Sequence, residues 1–361
     1  MNSLERVITA LNRQEPDRVP TFEWEIDQNV IQSLTPDHDY FDFIEEMDLD
    51  AVVIGPDYKS EQIDENTYID EWKVVKKKGH EKYLIPLEDR APIRSIKDFK
   101  HYSPPDPITF DRFVTLHKAV ERFKGNRAII IKIRDALSTP RDLRGYTGLL
   151  MDLKLEPTLV KEMVDLSIHH NLEVGLEAIK IGADIVVTGD DYADNSGPLM
   201  SPILFHEFFF PGIRRLVNSL KEAGAYFIKH TDGNITLLID MLIEANIDCI
   251  DPIDPLAGMD ILEIKRRYGS KLAIKGNIDC VDILSNSPKT DVVMSVLDCL
   301  LKASPNGGHI ISSSNSIHSG VKPENYKAML EAIFEYGQYP INVNKLEKTL
   351  ESMRSSHKTA H

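Results

Sequence analysis

The chain has 361 residues, with 42 Lys+Arg against 57 Asp+Glu and a net charge of −15. A composition of 42% hydrophobic and 27% charged residues is that of a globular protein, not a disordered one. The acidic balance disfavours nucleic acid and anionic membrane surfaces as partners, and no apolar run approaches the roughly 20 residues of a spanning helix. The N-terminal stretch MNSLERVITALNRQEPDRVP is charged and amphipathic, without the apolar core of a signal peptide. Cys249, Cys280 and Cys299 form no C-x-x-C pair, which predicts a reduced, cytoplasmic protein without disulfides.

Taken in chain order, short β-branched runs alternate with longer helical patterns. The candidate strands are Val19–Trp24, Ala51–Gly55, Ala128–Ile133, Ile185–Thr188, Ala225–Lys229, Cys249–Asp251, Leu272–Lys275 and His309–Ser312. Most are apolar without clean alternation, as expected of parallel strands buried on both faces. Phe110–Phe123, Pro157–Ile181, Pro202–Ala223, Ile235–Ala245 and Asp291–Ala303 carry apolar residues at helical spacing. Ser201 followed by Pro202 reads as a helix start. Gly182 and Gly224 sit where helices should end, and Asn306-Gly307-Gly308 reads as a turn into the eighth run. Eight such units predict an α/β fold, a single (β/α)8 barrel. An open doubly wound sheet is the alternative, but no G-x-G-x-x-G follows the first strand. Residues 57–89 predict a β-hairpin inserted after the second strand, with Thr67–Lys76 and His80–Pro86 joined by Lys77-Lys78-Gly79. The barrel is expected over residues 1–340. A tail over 341–361 follows Tyr339-Pro340 into a short helix, with SMRSSHKTAH expected to fray.

Barrel chemistry belongs at the C-terminal ends of the strands. Read in order, those ends carry Glu23, Asp57, Arg134, Asp190, Asp191, Tyr192, His230, Asp232, Asp251, Asn277, Asn315 and His318. A rim so rich in carboxylates suits a cation or proton transfer better than an anionic ligand. His230-x-Asp232 is the sharpest feature. Residues two apart on an extended strand point the same way, so an imidazole and a carboxylate can share one ion such as Zn²⁺. A third ligand must come from another strand end, with Glu23, Asp190, Asp191, Asn315 and His318 as donors. The plainer reading is that Asp232 caps a helix starting near Asn234. Asp190 and Asp191 are read as a catalytic carboxylate pair, acting as acid or base or orienting His230. Glu23 rather than Glu25 is expected to face the axis. Arg134 is read as paired with Asp135 or Asp190, or as holding a substrate carboxylate. Tyr192, Asn277 and His318 complete the candidate substrate contacts, and Asn315 the catalytic set.

Four stretches resemble the uroporphyrinogen decarboxylase superfamily, which includes cobalamin-linked methyltransferases. They are ERVITALNRQEPDRVP, the segment GDDYADNSGPLMSPILFHEFFFPGIRRLV, the segment from IKHTDGN to KGNID, and GGHIISSSNSIHSGVKPENYKAMLEA. The resemblance implies one (β/α)8 barrel and places the chain nearer the methyltransferase branch. True uroporphyrinogen decarboxylases carry an Arg-rich segment after the first strand. Here no Arg occurs between Arg18 and Arg90, and Glu23, Glu25 and Asp27 stand in that segment. A porphyrinogen polyanion would meet acids there. The family's thiol methyltransferases place zinc on a His-x-Cys pair after strand 5 and a Cys after strand 8. By that resemblance His230 keeps its place, Asp232 replaces the first Cys, and Asn315 lies near the second. A His/Asp site is harder and suits an oxygen-bound methyl donor.

The resemblance, with these departures, therefore implies a methyltransferase moving a methyl group from a small methoxylated substrate, such as a methoxyaromatic, to a corrinoid (cobalamin) supplied by a separate partner protein. Zn²⁺ on His230 and Asp232 would be the Lewis acid. A metal-independent decarboxylase of a small acid is the second reading, and a non-catalytic ligand-binding barrel the third. A homodimer is one assembly that this reading allows.

Overall fold

The computed structural model describes residues 1–79 and 84–359, with side chains through residue 356. Seven parallel strands pair in chain order: Ala51–Ile54, Ala128–Ile133, Ile185–Gly189, Tyr226–His230, Cys249–Asp251, Ala273–Lys275 and His309–Ile310. The eighth position belongs to the first run, Val19–Trp24. It makes isolated bridges rather than a ladder, because Pro20 has no N–H to donate and the Val19 N–H goes to Gly337. Thr21 bridges Ile311 in parallel, and its carbonyl accepts the Asp50 N–H at 2.8 Å. Those contacts tie this segment to both edge strands, and the architecture is the expected (β/α)8 barrel.

Alternation along each strand sorts the core into two layers. Ala51, Val53, Ala128, Ile130, Ile185, Val187, Ile228, Cys249, Ala273 and Ile310 form the inner cluster with Phe22. Val7, Ala10 and Leu11 of the N-terminal helix Ser3–Leu11 join the same cluster. The intervening side chains pack outward under helices in a second, larger cluster.

The helix over Pro157–Ile181 spans the expected residues. The stretch Pro202–Ala223 is two helices, Pro202–Phe208 and Phe210–Glu222, because Pro211 cannot bond back to the preceding turn. Phe110–Phe123 opens with a tighter turn over Phe110–Phe113 before its helix Val114–Phe123. Ile235–Ala245 is helical over Ile239–Glu244 only.

The insertion is larger than a hairpin. It is a four-stranded antiparallel sheet over Ser60–Asp64, Thr67–Asp70, Val75–Lys78 and Leu84–Pro86. The stretch Thr67–Lys76 does not run as one strand. It reverses at Glu71-Trp72-Lys73, where Lys73 has φ of 61° and the Asp70 carboxylate accepts the Val74 N–H at 2.9 Å. Lys77 and Lys78 consequently continue a strand instead of turning; His80 to Tyr83 lie outside the described residues. Glu71 and Trp72 fasten this sheet to the barrel. Arg112 grips Glu71 with two bonds of 2.6 and 2.8 Å, and Trp72 packs edge-on against His170. The C-terminal helix continues through Val343–Thr359, so the backbone of Ser352–Thr359 is helical where fraying was expected.

Asp50 is the fastening of the first segment. Fully buried, it takes Arg6 Nη1 at 2.5 Å, Arg18 Nη1 at 2.8 Å and the Thr21 N–H at 2.8 Å. Asp50→Ala leaves two mostly buried guanidiniums short of a partner. We expect a loss of about 3 kcal/mol or more in urea denaturation, with Asp50→Asn losing less; unchanged midpoints would refute this fastening.

Candidate active site

The last residues of three adjacent strands form one row. His230 stands in register with Asp251, and Asp251 lies beside Lys275. His230 Nδ1 is 2.8 Å from Asp251 Oδ2, and Lys275 Nζ donates to Asp251 Oδ1 at 2.8 Å. All three are buried. Burial alone would raise the Asp251 carboxyl, but Lys275 and His230 outweigh it and hold the group near about 2. Burial disfavours the His230 imidazolium; Asp251, with Asp232 and Asp191, overcomes this and lifts His230 above its ordinary value. Trp24 stacks on the imidazole with centroids 4.1 Å apart and planes 10° apart. Gly189 makes that stacking possible: a Cβ there would lie 2.5 Å from the indole ring.

His230 and Asp232 do point the same way, with Nε2 and Oδ1 3.5 Å apart. The carboxylate that joins them is Asp191, whose Oδ1 accepts the Asp232 N–H at 3.0 Å. One ligand atom from each of Asp191, His230 and Asp232 lies within 4.8 Å of the others. Asn315 Nδ2 donates to Asp232 Oδ2 at 2.6 Å, while Asp232 Oδ1 is buried without a hydrogen-bond partner among the described residues. Burial raises Asp232 to about 6 against the pull of His230, with Asp191, Asp251 and Asp254 adding to the rise. Asp232 therefore serves no helix cap. The Asn234 side chain accepts the Thr236 N–H instead. These groups line a cavity of about 590 Å³ with Trp24, Glu25 and His318.

The other expected residues are placed differently. Glu23 does not line this cavity. Its carboxylate is buried against Ser313, taking the hydroxyl at 2.6 Å and the N–H at 3.1 Å, while Trp24 packs with the inner cluster. Asp190 also turns away. It accepts the Leu137 and Ser138 N–H groups at 2.7 and 2.8 Å and so shapes the loop after the third strand. Burial opposes its charge, but Lys229 and Arg134 keep its carboxyl low. Asp190 and Asp191 thus do separate jobs. Tyr192 is buried and donates to Asp135, which also takes Lys229 Nζ at 2.7 Å. Asn277 lines a separate cavity beside Cys299. Arg134 pairs with Asp142, not with Asp135 or Asp190, at 3.6 Å. Sequence reading gave no role to Trp24, Asp251 or Lys275. Their strand-end positions were the available signal, but only the register shows that they touch His230.

The family model for uroporphyrinogen decarboxylase (URO-D) matches residues 87–336. The chain belongs to this family. The uroporphyrinogen decarboxylase of Myxococcus xanthus is 25% identical over 260 residues, 68% of this chain and 70% of that enzyme. That of Coxiella burnetii is 27% identical over 175 residues, and the match spans 45% of each chain. For the chloroplastic rice enzyme the match covers 36% of its length. Among solved structures, a methyltransferase from Methanosarcina mazei aligns with a TM-score of 0.73 at 15% identity, over 93% of this chain and 99% of that one. The family barrel is thus common to these proteins. Among the described residues no helix is long and apolar enough to cross a membrane.

Two outcomes test this geometry. Burial moves Glu23 from 4.5 to about 7, partly offset by Lys275 and Ser313. A carboxyl raised on folding gives stability that is complete below its unfolded value and lost as pH rises through the folded one. We expect a loss on the order of 3 kcal/mol between pH 4.5 and 8, removed in Glu23→Gln. An identical difference between wild type and variant at both pH values refutes it. Should the His230 cluster hold a divalent metal, Asp251→Asn would weaken its binding about 10–100-fold by loosening His230, read by competition with a chromophoric chelator.

Proposed function

We propose that this chain is a zinc-dependent methyltransferase that takes a methyl group from an oxygen-bound donor and delivers it to a corrinoid carried by a separate protein. The observation that supports it is the Asp191–His230–Asp232 cluster, in which the buried Asp232 Oδ1 makes no hydrogen bond among the described residues and lies 3.5 Å from His230 Nε2. One imidazole and two carboxylates are a donor set that zinc accepts. A buried acceptor left without a donor costs free energy unless a cation meets it. A zinc ion held there would supply Lewis acidity towards an ether oxygen, easing departure of an alkoxide or phenolate.

The chain's own residues prepare that site. Asp251 occupies Nδ1 of His230 and directs Nε2 towards Asp232. Asn315 fixes one oxygen of Asp232 and leaves the other to the ligand set. Trp24 blocks rotation of the imidazole from one face and gives the cavity an apolar wall. The carboxylates of Glu25, Asp191 and Asp232 share that cavity, which makes it inhospitable to a porphyrinogen polyanion.

The names of the curated relatives favour decarboxylation, and the second reading for this chain is decarboxylation of a small acid without a metal. In that reading Arg134, part of the wall of a neighbouring cavity, holds the carboxylate.

Purified without chelator, the protein should carry about one zinc per chain, and His230→Ala and Asp232→Ala should lose it. Methyl transfer from methoxylated aromatics to added cob(I)alamin should fall at least about 100-fold in both variants and on chelation, followed by the corrinoid spectrum. Release of carbon dioxide from a small acid by metal-free protein would overturn the proposal in favour of the second reading.

A further inference from the structure

The central cavity does not end at the His230 cluster. Trp24, Gly189 and Asp191 are also walls of a neighbouring cavity of about 330 Å³ that runs along Lys132, Arg134 and Arg141. Tyr58 and Arg134 are in turn walls of a third, of about 270 Å³, enclosed between the inserted sheet and the barrel. Shared walls set the three cavities side by side, from the His230 site to a chamber beneath the inserted sheet. Tyr58, Tyr68, Trp72, Val74 and Leu84 give that chamber an aromatic and aliphatic wall among its charged lining residues.

Charges along the chamber are not balanced alike. Each carboxylate there has a close cation: Lys76 on Asp70 at 2.8 Å, Arg112 on Glu71 at 2.6 Å, and Arg141 on Asp142 at 3.0 Å. Lys59 is taken by Asp111 at 2.8 Å, and Lys132 by Glu25 at 3.2 Å. Arg134 is the exception. Its guanidinium approaches Asp142 only to 3.6 Å, makes no hydrogen bond among the described residues, and keeps 40% of its side chain accessible. Its backbone is meanwhile held by Asn171 at 3.2 Å. A fixed backbone carrying a fork of free N–H donors at the junction of two cavities matches a planar carboxylate. The loosely paired charge is a cation, which argues against a quaternary ammonium ligand despite the aromatic walls.

We infer that the substrate is an aromatic carboxylate: its carboxylate pairs with Arg134, its ring lies against Tyr58 and Trp72 under the inserted sheet, and its reacting end extends towards His230. The inserted sheet is then the specificity wall of the enzyme. This inference rests on the proposed reaction site at His230, but its binding half stands apart from turnover.

The chain has two tryptophans, Trp24 and Trp72, and each lines one end of this row of cavities. Their fluorescence in the full chain reports titration with 4-methoxybenzoate and with its neutral isostere 4-methoxybenzamide. The acid should bind at least about tenfold tighter than the amide, and Arg134→Gln should bring the two within about twofold. The preference should survive removal of metal by chelator. Equal affinities in the wild type, or no binding of either compound at millimolar concentration, overturn the assignment. So does a preference that persists in Arg134→Gln, or one that vanishes with the metal, which would put the carboxylate at the His230 cluster. Should Arg134→Gln not fold, the wild-type comparison with and without metal still decides. Failure of the methyltransferase reading shows separately, as absent methyl transfer with the binding preference intact.

Discussion

A lysine and an aspartate buried side by side govern this barrel's mouth. Lys275 and Asp251 sit on neighbouring strands with almost no exposure, and neither charge is tolerable there without the other. Their pairing uses one oxygen of Asp251 and leaves the second for His230. The imidazole then has one nitrogen committed to the row and the other directed to the cavity. Trp24 closes its face, and Gly189 gives the indole room. The chemistry of the cavity thus follows from a charge-neutralisation problem inside the strand row.

The surroundings extend the same logic. Acids gather at the central cavity, where Asp191 and Asp232 converge on His230. Cations gather further out, where Lys132, Arg134 and Arg141 line the neighbouring cavity towards the inserted sheet. A polar separation of this kind orients a ligand with an anionic end and an oxygen-bearing end. The inserted sheet completes it, because the turn at Glu71-Trp72-Lys73 brings both an ion-pair anchor and an aromatic wall to the barrel's flank. Family membership fixes the barrel, while the reaction such a barrel performs depends on the side chains at its strand ends.

Much of the fold was legible in the sequence because barrel strands are buried on both faces and read as continuous apolar runs. Ile185–Thr188 and Ala128–Ile133 became strands nearly as delimited. Where neighbours decide, legibility fell. Val19–Trp24 has a strand's composition, yet Pro20 leaves it only bridges. Thr67–Lys76 alternates as one strand should, yet Asp70 and Lys73 fold it back. At the site, the i,i+2 geometry brought His230 and Asp232 together from sequence alone. Choosing among Glu23, Asp190 and Asp191 was beyond it, because consecutive acids at a strand end point in different directions. Ser313 captures the first, the amides of Leu137 and Ser138 the second, and only the third reaches the cavity.

The sequence by itself determined the barrel and the convergence of His230 and Asp232 at one strand end. These depend on residue type and on periodicity along the chain, which local physics reads directly. Tertiary structure alone decided which partners each polar side chain has. The register of His230 with Asp251 and of Asp251 beside Lys275, the Trp24 stack and the loosely paired Arg134 all join residues far apart in sequence. Burial and pairing set their charges, and both are properties of the closed barrel rather than of any segment of the chain.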